Sequence, residues 1–481
     1  AKPKSKALVP PVAMSVPKTL LEKDGVVVTD DYYWLRDREN PKVLKYLEDE
    51  NAYADIYMKS SKELMDSLYN EFCTRVGGDE RSCYTQEDDF YYYTRINDEQ
   101  QYQVHCRKFE SLDNEEVIIL DENKEAEGED YYAMGPFEVS PDHSMLACGV
   151  DTAGDEKFTL LVKDLTTGRW LPEEIYPVGW TVRWAADNKT LFYTRVNEFG
   201  RSFQLYRHII GENNPDGSDD ELIYEEKDER YILRITTTNN KKFFLMRVDG
   251  QITNEVWYLS TSQPRAQFQL FAPRTRGVMY FLASHGSWFY IQTNEGGSYN
   301  YKVVRSPAED PSNRELWEEV LPHREDVLIE QINLFRHHFV VWEWEGGLQR
   351  IRVQDLSDGE VHYVQLPEQL YSVWPGERRD EDDTLGVQYF NSNILRFSYT
   401  NFTQPIIVYD YDMDNWRKKK IKEVRVPGYI REHYHQKRIF AQASDGFMIP
   451  ISLVYKISLK NNTGGNPLLL YGYGAYGGQI L

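Results

Sequence analysis

Between Tyr84 and Tyr411 the chain repeats one pattern seven times: two short, aromatic-rich runs joined by a turn rich in Asn, Asp and Gly. The groups open at Tyr84 (YTQEDDFYYYTRI), Phe137 (FEVSPDHSMLACGV), Thr181 (TVRWAADNKTLFYTRV) and Ile235 (ITTTNNKKFFLMRV). They continue at Met279 (MYFLASHGSWFYIQT), Ile332 (INLFRHHFVVWEW) and Val387 (VQYFNSNILRFSYT). Most are followed by a second strand pair, such as FTLLVKDL, FQLYRHII or EVWYLS. The mean spacing is roughly 50 residues, the length scale of a four-stranded propeller blade. No helical periodicity interrupts the units, and a closed ring leaves few exposed strand edges, so a seven-bladed propeller over residues 77–425 is expected. Two packed β-sandwiches are the alternative, and seven similar units in series count against them. The acidic insertions DENKEAEGED, GENNPDGSDDE and GERRDEDD fall between groups and are expected as solvated loops on the rims.

The flanks have a different texture. In residues 1–76, Asn40 can cap a helix whose first turn holds Pro41. Val43, Leu44, Leu47, Met58, Leu64, Leu68 and Phe72 then recur at helical spacing, which predicts an amphipathic helix or helix pair ending before Gly77-Gly78. In residues 426–481, Ile439–Ala443 and Phe447–Tyr455 read as two strands about the turn Ser444-Asp445-Gly446. Asn461–Gly465 reads as a loop and Pro467–Tyr471 as a buried strand, so this region is expected to begin an α/β unit.

Composition narrows the function. Of 481 residues 41% are hydrophobic and 27% charged, a core-forming balance. The formal charge of −22 argues against a nucleic-acid partner and suits cationic ones. Cys73, Cys83, Cys106 and Cys148 form no CxxC pair, which points to reduced thiols rather than a zinc site or a disulfide framework. The first residues lack the apolar core of a signal peptide, and no stretch approaches the ~20 apolar residues of a membrane span. A cytoplasmic protein without a membrane partner is expected, with the sequons at Asn188, Asn401 and Asn461 as chance matches on turns. There is no HExxH, Walker or EF-hand pattern, so neither a metal nor a cofactor is expected.

One motif remains, Gly472-Tyr473-Gly474-Ala475-Tyr476-Gly477, a literal G-x-G-x-x-G after an apolar run. A dinucleotide site would need small residues near the pyrophosphate, a following helix and an acid about 20 residues on. Here Tyr473 and Tyr476 crowd the loop and four residues follow it. A glycine-rich turn is one reading. Another is chemical: a tyrosine hydroxyl held between glycines can donate a hydrogen bond to a developing oxyanion. The nucleophile would have to come from another segment. No G-x-S-x-G is present; Gly296-Gly297-Ser298-Tyr299-Asn300 lacks the last glycine and sits in a blade turn. His337 and His338 are adjacent in an alternating run and point to opposite faces. His433 and His435 share a face but have no third ligand at metal spacing.

Several separated stretches, in order, carry a resemblance. DDYYWLRDRENPKVLKYLEDEN (from Asp30), DTAGDEKFTLLVKDLTTG (from Asp151), LIYEEKDERY (from Leu222), EVRVPGY (from Glu423), SDGFMIPISLVYK (from Ser444) and LLLYGYGAYG (from Leu468) resemble the prolyl oligopeptidase family of serine peptidases. Within it they look most like the oligopeptidase B branch, because post-proline enzymes usually continue this loop in a GGF-type form. The resemblance covers essentially the whole chain. It implies a mainly-β fold: a seven-bladed propeller inserted into an α/β-hydrolase domain built from both chain ends. It also implies short peptides cleaved after Arg or Lys, a monomer or weak dimer, and Tyr473 as the oxyanion-hole tyrosine. In the family the Ser, Asp and His of the triad come later than this loop. These 481 residues are therefore expected to hold an incomplete hydrolase domain and to be inactive alone. A noncatalytic propeller acting as an interaction platform is the rival from another class, and a post-proline peptidase the rival within it.

Overall fold

A computed structural model of the chain describes residues 9–23, 25–75, 80–97, 100–367, 370–377 and 389–473. It divides into two compact units, Ala1–Gly77 with Val426–Gly428, and Gly78–Arg425 with Tyr429–Leu481.

The first unit holds a strand pair, Lys18–Lys23 with Val26–Asp30, and two helices, α1 (Pro41–Met58) and α2 (Lys62–Arg75), joined by the 3-10 turn Lys59–Ser61. Asn40 caps α1 as expected, its side chain accepting from the Lys42 N–H at 3.0 Å, with Pro41 in the first turn. Val43 is buried, whereas Leu44, Leu47, Met58, Leu64, Leu68 and Phe72 are exposed.

The second unit is the propeller. Seven antiparallel sheets follow one another along the chain, spanning 80–121, 133–178, 182–225, 232–272, 280–321, 327–363 and 372–423. In six of them four consecutive strands pair in sequence order. In blade 1 the inner strand is broken, so that Glu80–Arg81 and Thr85–Glu87 both pair with Phe90–Ile96. The second strands, such as Thr190–Val196, Phe243–Asp249 and His338–Glu345, are buried along nearly their whole length. A strand sandwiched between neighbouring blades has no solvent face, which is why these runs read as continuous apolar stretches instead of alternating ones. Phe192 and Leu205 of blade 3 pack with Leu233, Phe244 and Met246 of blade 4 in one such layer.

Among the described residues each blade draws its strands from one continuous span, and no strand is shared between blades 7 and 1. Side chains hold the seam instead. Glu377 of blade 7 accepts from the Cys83 N–H at 2.5 Å and from Lys422 Nζ at 2.7 Å. Lys422 Nζ also donates to the Arg81 carbonyl at 2.7 Å, and Arg396 Nη1 donates to the Tyr84 carbonyl.

Four expectations are corrected. The first strand of blade 7 is Ser372–Pro375, not a run beginning at Val387, which lies outside the described residues. That strand ends in proline, which is tolerated where no further ladder donor is needed, and it docks on blade 6 through the Val373 N–H to Gln349 Oε1 bond of 2.8 Å. The second and third acidic insertions do not fall between groups, whereas the first does lie between blades 1 and 2. Residues 211–221 lie inside blade 3, following Ser202–Ile209 and running into the first residue of Glu221–Glu225. They send Asp220 inward, where it accepts from the Tyr193 hydroxyl and bonds His208 Nδ1, each at 2.8 Å, with the His208 and Asp220 side chains fully buried. The first insertion contains a helical turn, Glu122–Glu125, and the third follows the first strand of blade 7, where Gly376 and Glu377 are its described residues. Asn401 is no turn residue but the buried end of the strand Ile394–Asn401. Finally, Pro467–Tyr471 is neither strand nor buried. A strand needs a neighbour for its backbone groups, and the nearest sheet in sequence, Tyr434–Gln442 with Met448–Lys456, is paired within itself.

Candidate functional site

The segment that carries Tyr473 is anchored to the propeller at its start. The Tyr429 hydroxyl donates to the Thr403 carbonyl at 2.9 Å, and Arg431 Nη1 to Gln404 Oε1 at 2.8 Å. The hairpin Tyr434–Gln442/Met448–Lys456 then pairs over nine positions about the expected turn. Arg438 reaches back from it to the Gly346 and Gly347 carbonyls of blade 6, at 2.8 and 3.1 Å. A short loop follows, closed by Asn461 and Asn466: the Asn461 N–H donates to Asn466 Oδ1 at 2.7 Å, and Asn466 Nδ2 to the Asn461 carbonyl at 3.0 Å. Beyond it the backbone is irregular. Leu469 is 90% exposed and Tyr473 60%. The rest of the glycine motif, Gly474 to Gly477, lies outside the described residues.

The serine and histidines that the sequence singled out are spread over the propeller and the hairpin. Ser298 sits in the turn between Trp288–Thr293 and Lys302–Pro307, as expected. His338 is buried in blade 6, whereas His337 lies exposed in the turn before it. His433 and His435 are exposed, and His435 packs against Tyr455. Among the described residues no group of three His, Cys, Asp or Glu side chains is placed to hold a metal. Among them, too, no helix is long and apolar enough to cross a membrane.

Sequence reasoning missed a cavity of about 360 Å³ where the first strands of blades 1 to 4 converge. Tyr92, Phe137 and Trp184 supply aromatic walls, and Thr236, Thr237 and Thr238 hydroxyl-bearing ones. Its charges come in pairs: Glu138 with Arg183 at 3.6 Å, and Glu87 with Lys241 at 3.2 Å. Burial pushes the Glu138 carboxyl up, and Arg183 pulls it back. At the wall, the Tyr92 hydroxyl bonds His143 Nδ1 at 2.8 Å, and burial raises that phenol to about 12. The signal was present in the Thr236-Thr237-Thr238 run, but nothing local marks a strand as facing an axis.

The profile described as "Prolyl oligopeptidase, N-terminal beta-propeller domain" matches residues 11–424. A dipeptidyl aminopeptidase BI from Pseudoxanthomonas mexicana is 32% identical over 98% of this chain, and a protease 2 from Moraxella lacunata is 31% identical over 97%. The chain spans 66% of the length of each of these relatives. Among solved structures, oligopeptidase B from Leishmania major superposes with a TM-score of 0.88 at 26% identity, covering 98% of this chain and 68% of that one. Oligopeptidase B from Trypanosoma brucei gives 0.85, also at 26% identity, with coverage of 98% and 68%. The chain belongs to the prolyl oligopeptidase family, as a mainly-β, seven-bladed propeller with only part of the hydrolase domain within its 481 residues.

Proposed function

We propose that this chain supplies the propeller and the oxyanion tyrosine of an oligopeptidase B-like serine peptidase that cleaves short peptides after Arg or Lys. The observation that carries this reading is the likeness to oligopeptidase B structures along 98% of the chain. The net charge of −22 supports basic substrates, since a negative field concentrates cationic peptides near the protein. In this reading residues 1–76 and 426–481 are hydrolase-domain segments and 77–425 the propeller. The Tyr473 hydroxyl donates to the oxygen that gains charge when a serine attacks the peptide carbonyl. The attacking serine, its histidine base and the orienting aspartate have no candidates among these residues, so the chain alone is inactive. The four free cysteines fit a cytoplasmic setting, and the protein acts as a monomer or weak dimer without a cofactor, nucleic acid or membrane.

The test uses blocked fluorogenic peptides ending in Arg, Lys or Pro, together with a serine-directed phosphonate. The 481-residue chain should neither cleave nor label. The form of the protein that also carries the nucleophile should cleave after Arg and Lys in preference to Pro. Preference for Pro refutes the substrate assignment; labelling of a serine in the 481-residue chain refutes the absence of a nucleophile. Failure of the nucleophile-bearing form to cleave any of them favours the interaction platform.

A further inference from the structure

The outermost strand of blade 7, Arg417–Glu423, reads Arg-Lys-Lys-Lys-Ile-Lys-Glu. Five of its seven residues are cations in a chain whose net charge is −22. The corresponding strands of other blades are acidic or apolar, as in Glu221–Glu225 (ELIYE), Gln269–Ala272 (QLFA) and Glu318–Leu321 (EEVL). Arg417–Glu423 pairs with one neighbour, Gln404–Asp412, so among the described residues one row of its backbone N–H and C=O groups has no strand beside it. Edge lysines ordinarily deter apolar strands from adding there. Against an acidic strand the same charges attract, because opposite charges directly across a ladder stabilise the pair.

Three of the cations are committed. Lys418 Nζ donates to the Gln365 carbonyl at 2.7 Å and lies over the Tyr409 ring, Lys420 pairs with Glu423 at 2.5 Å, and Lys422 with Glu377 at 2.7 Å. The Arg417 and Lys419 side chains are exposed and make no hydrogen bond or close ion pair among the described residues, although Arg417 is near enough to help lower the Asp412 carboxyl. They stand in register with Asp412 and Asp410 of the neighbouring strand, but those carboxylates are held elsewhere. Asp410 is gripped by Arg396 at 2.6 and 2.8 Å, and Asp412 accepts from the Asp414 and Asn415 N–H groups and from Asn415 Nδ2. Two exposed cations without a hydrogen-bonded carboxylate, one of them still feeling the Asp412 charge, therefore project from one face of an open edge, about 7 Å apart as alternate residues of a strand must be.

We propose that Arg417–Glu423 is a docking edge for an extended acidic peptide segment that adds to blade 7 as a fifth strand, with carboxylates at alternate positions. The inner neighbour already displays this pattern: Tyr409-Asp410-Tyr411-Asp412 lies antiparallel to the strand, with its acids opposite Lys419 and Arg417. A partner of the same pattern on the open side places its carboxylates beside those two cations and engages the free backbone row.

The test is fluorescence anisotropy of the whole chain with a labelled peptide of the sequence of residues 407–412, Ile-Val-Tyr-Asp-Tyr-Asp. Binding is expected at low salt and should weaken about tenfold between roughly 50 and 300 mM salt. R417Q/K419Q should weaken it about tenfold, whereas the charge-preserving R417K/K419R should retain it. A peptide with Lys for both Asp, or with the two Asp made adjacent, should bind less well to the unaltered chain, which keeps the test decisive if the Gln variant aggregates. No binding, equal binding by the rearranged peptide, or undiminished binding to a folded R417Q/K419Q overturns the proposal. Binding of heparin without binding of the peptide also overturns it, in favour of a generic polyanion patch.

Discussion

Arg396 and Asp410 face each other across the two central strands of blade 7, with Nε 2.6 Å from Oδ1 and Nη2 2.8 Å from Oδ2. The same guanidinium donates through Nη1 to the Tyr84 carbonyl of blade 1. One side chain thus braces the last blade internally and ties it to the first across a seam that no strand among the described residues spans. Arg396→Leu leaves Asp410 without its partner and the Tyr84 carbonyl without its donor. The substitution should cost about 3 kcal/mol, because removing one member of a largely buried pair strands the other charge. Urea unfolding followed by tryptophan fluorescence measures it, and a loss well under 1 kcal/mol would show that the seam does not depend on this residue.

His338 gives the propeller a pH dependence. It is 1% exposed, with Asp414 at 3.1 Å, yet burial outweighs the nearby carboxylates and holds its imidazole below the ordinary 6.5. His362 is lowered for the same reason, with His338 adding repulsion. In the unfolded chain both take up protons below 6.5 while the folded forms resist, so these groups favour unfolding as the pH falls from 6.5 towards their folded values. Above 6.5 they contribute no slope. His338→Gln should flatten the loss of stability between pH 7 and pH 5, read by urea midpoints at several pH values. An unchanged slope in the variant would contradict this assignment.

Much of the fold was legible because its signals are local. Turn residues such as Asn188, which adopts φ 57° between two strands, mark the hairpins, and Asn40-Pro41 marks a helix start. The missed elements depend on distant neighbours. Ser372–Pro375 is short, ends in proline and is recognisable only by its partners, the distant strand Ile394–Asn401 and Gln349 of blade 6. Asp220 looked like one of many solvated acids until His208 and Tyr193 met it in the core. At the candidate site, the Gly-Tyr-Gly stretch points to Tyr473, but its apolar approach, which the sequence pattern predicts as a buried strand, is exposed and irregular. Apolar residues record a preference for burial and not the identity of what buries them.

That exposed apolar approach has a measurable consequence. Leu468, Leu469, Leu470 and Tyr471 form a contiguous exposed apolar run, and a hydrophobic dye should bind there. Replacing Leu468, Leu469 and Leu470 by Ser should lower dye fluorescence of the folded chain without moving its unfolding midpoint. A fall in the midpoint by several degrees would mean that these leucines are packed in solution.

The oxyanion role is tested most directly by the turnover of the proposed nucleophile-bearing form with Tyr473 intact and with Tyr473→Phe, on a blocked peptide ending in Arg. An oxyanion donor acts on charge that appears only in the transition state, so its loss lowers kcat and leaves KM nearly unchanged. The expected fall in kcat is about 10²-fold, the size found for single oxyanion-hole donors. Equal turnover in the two proteins would contradict the role assigned to Tyr473.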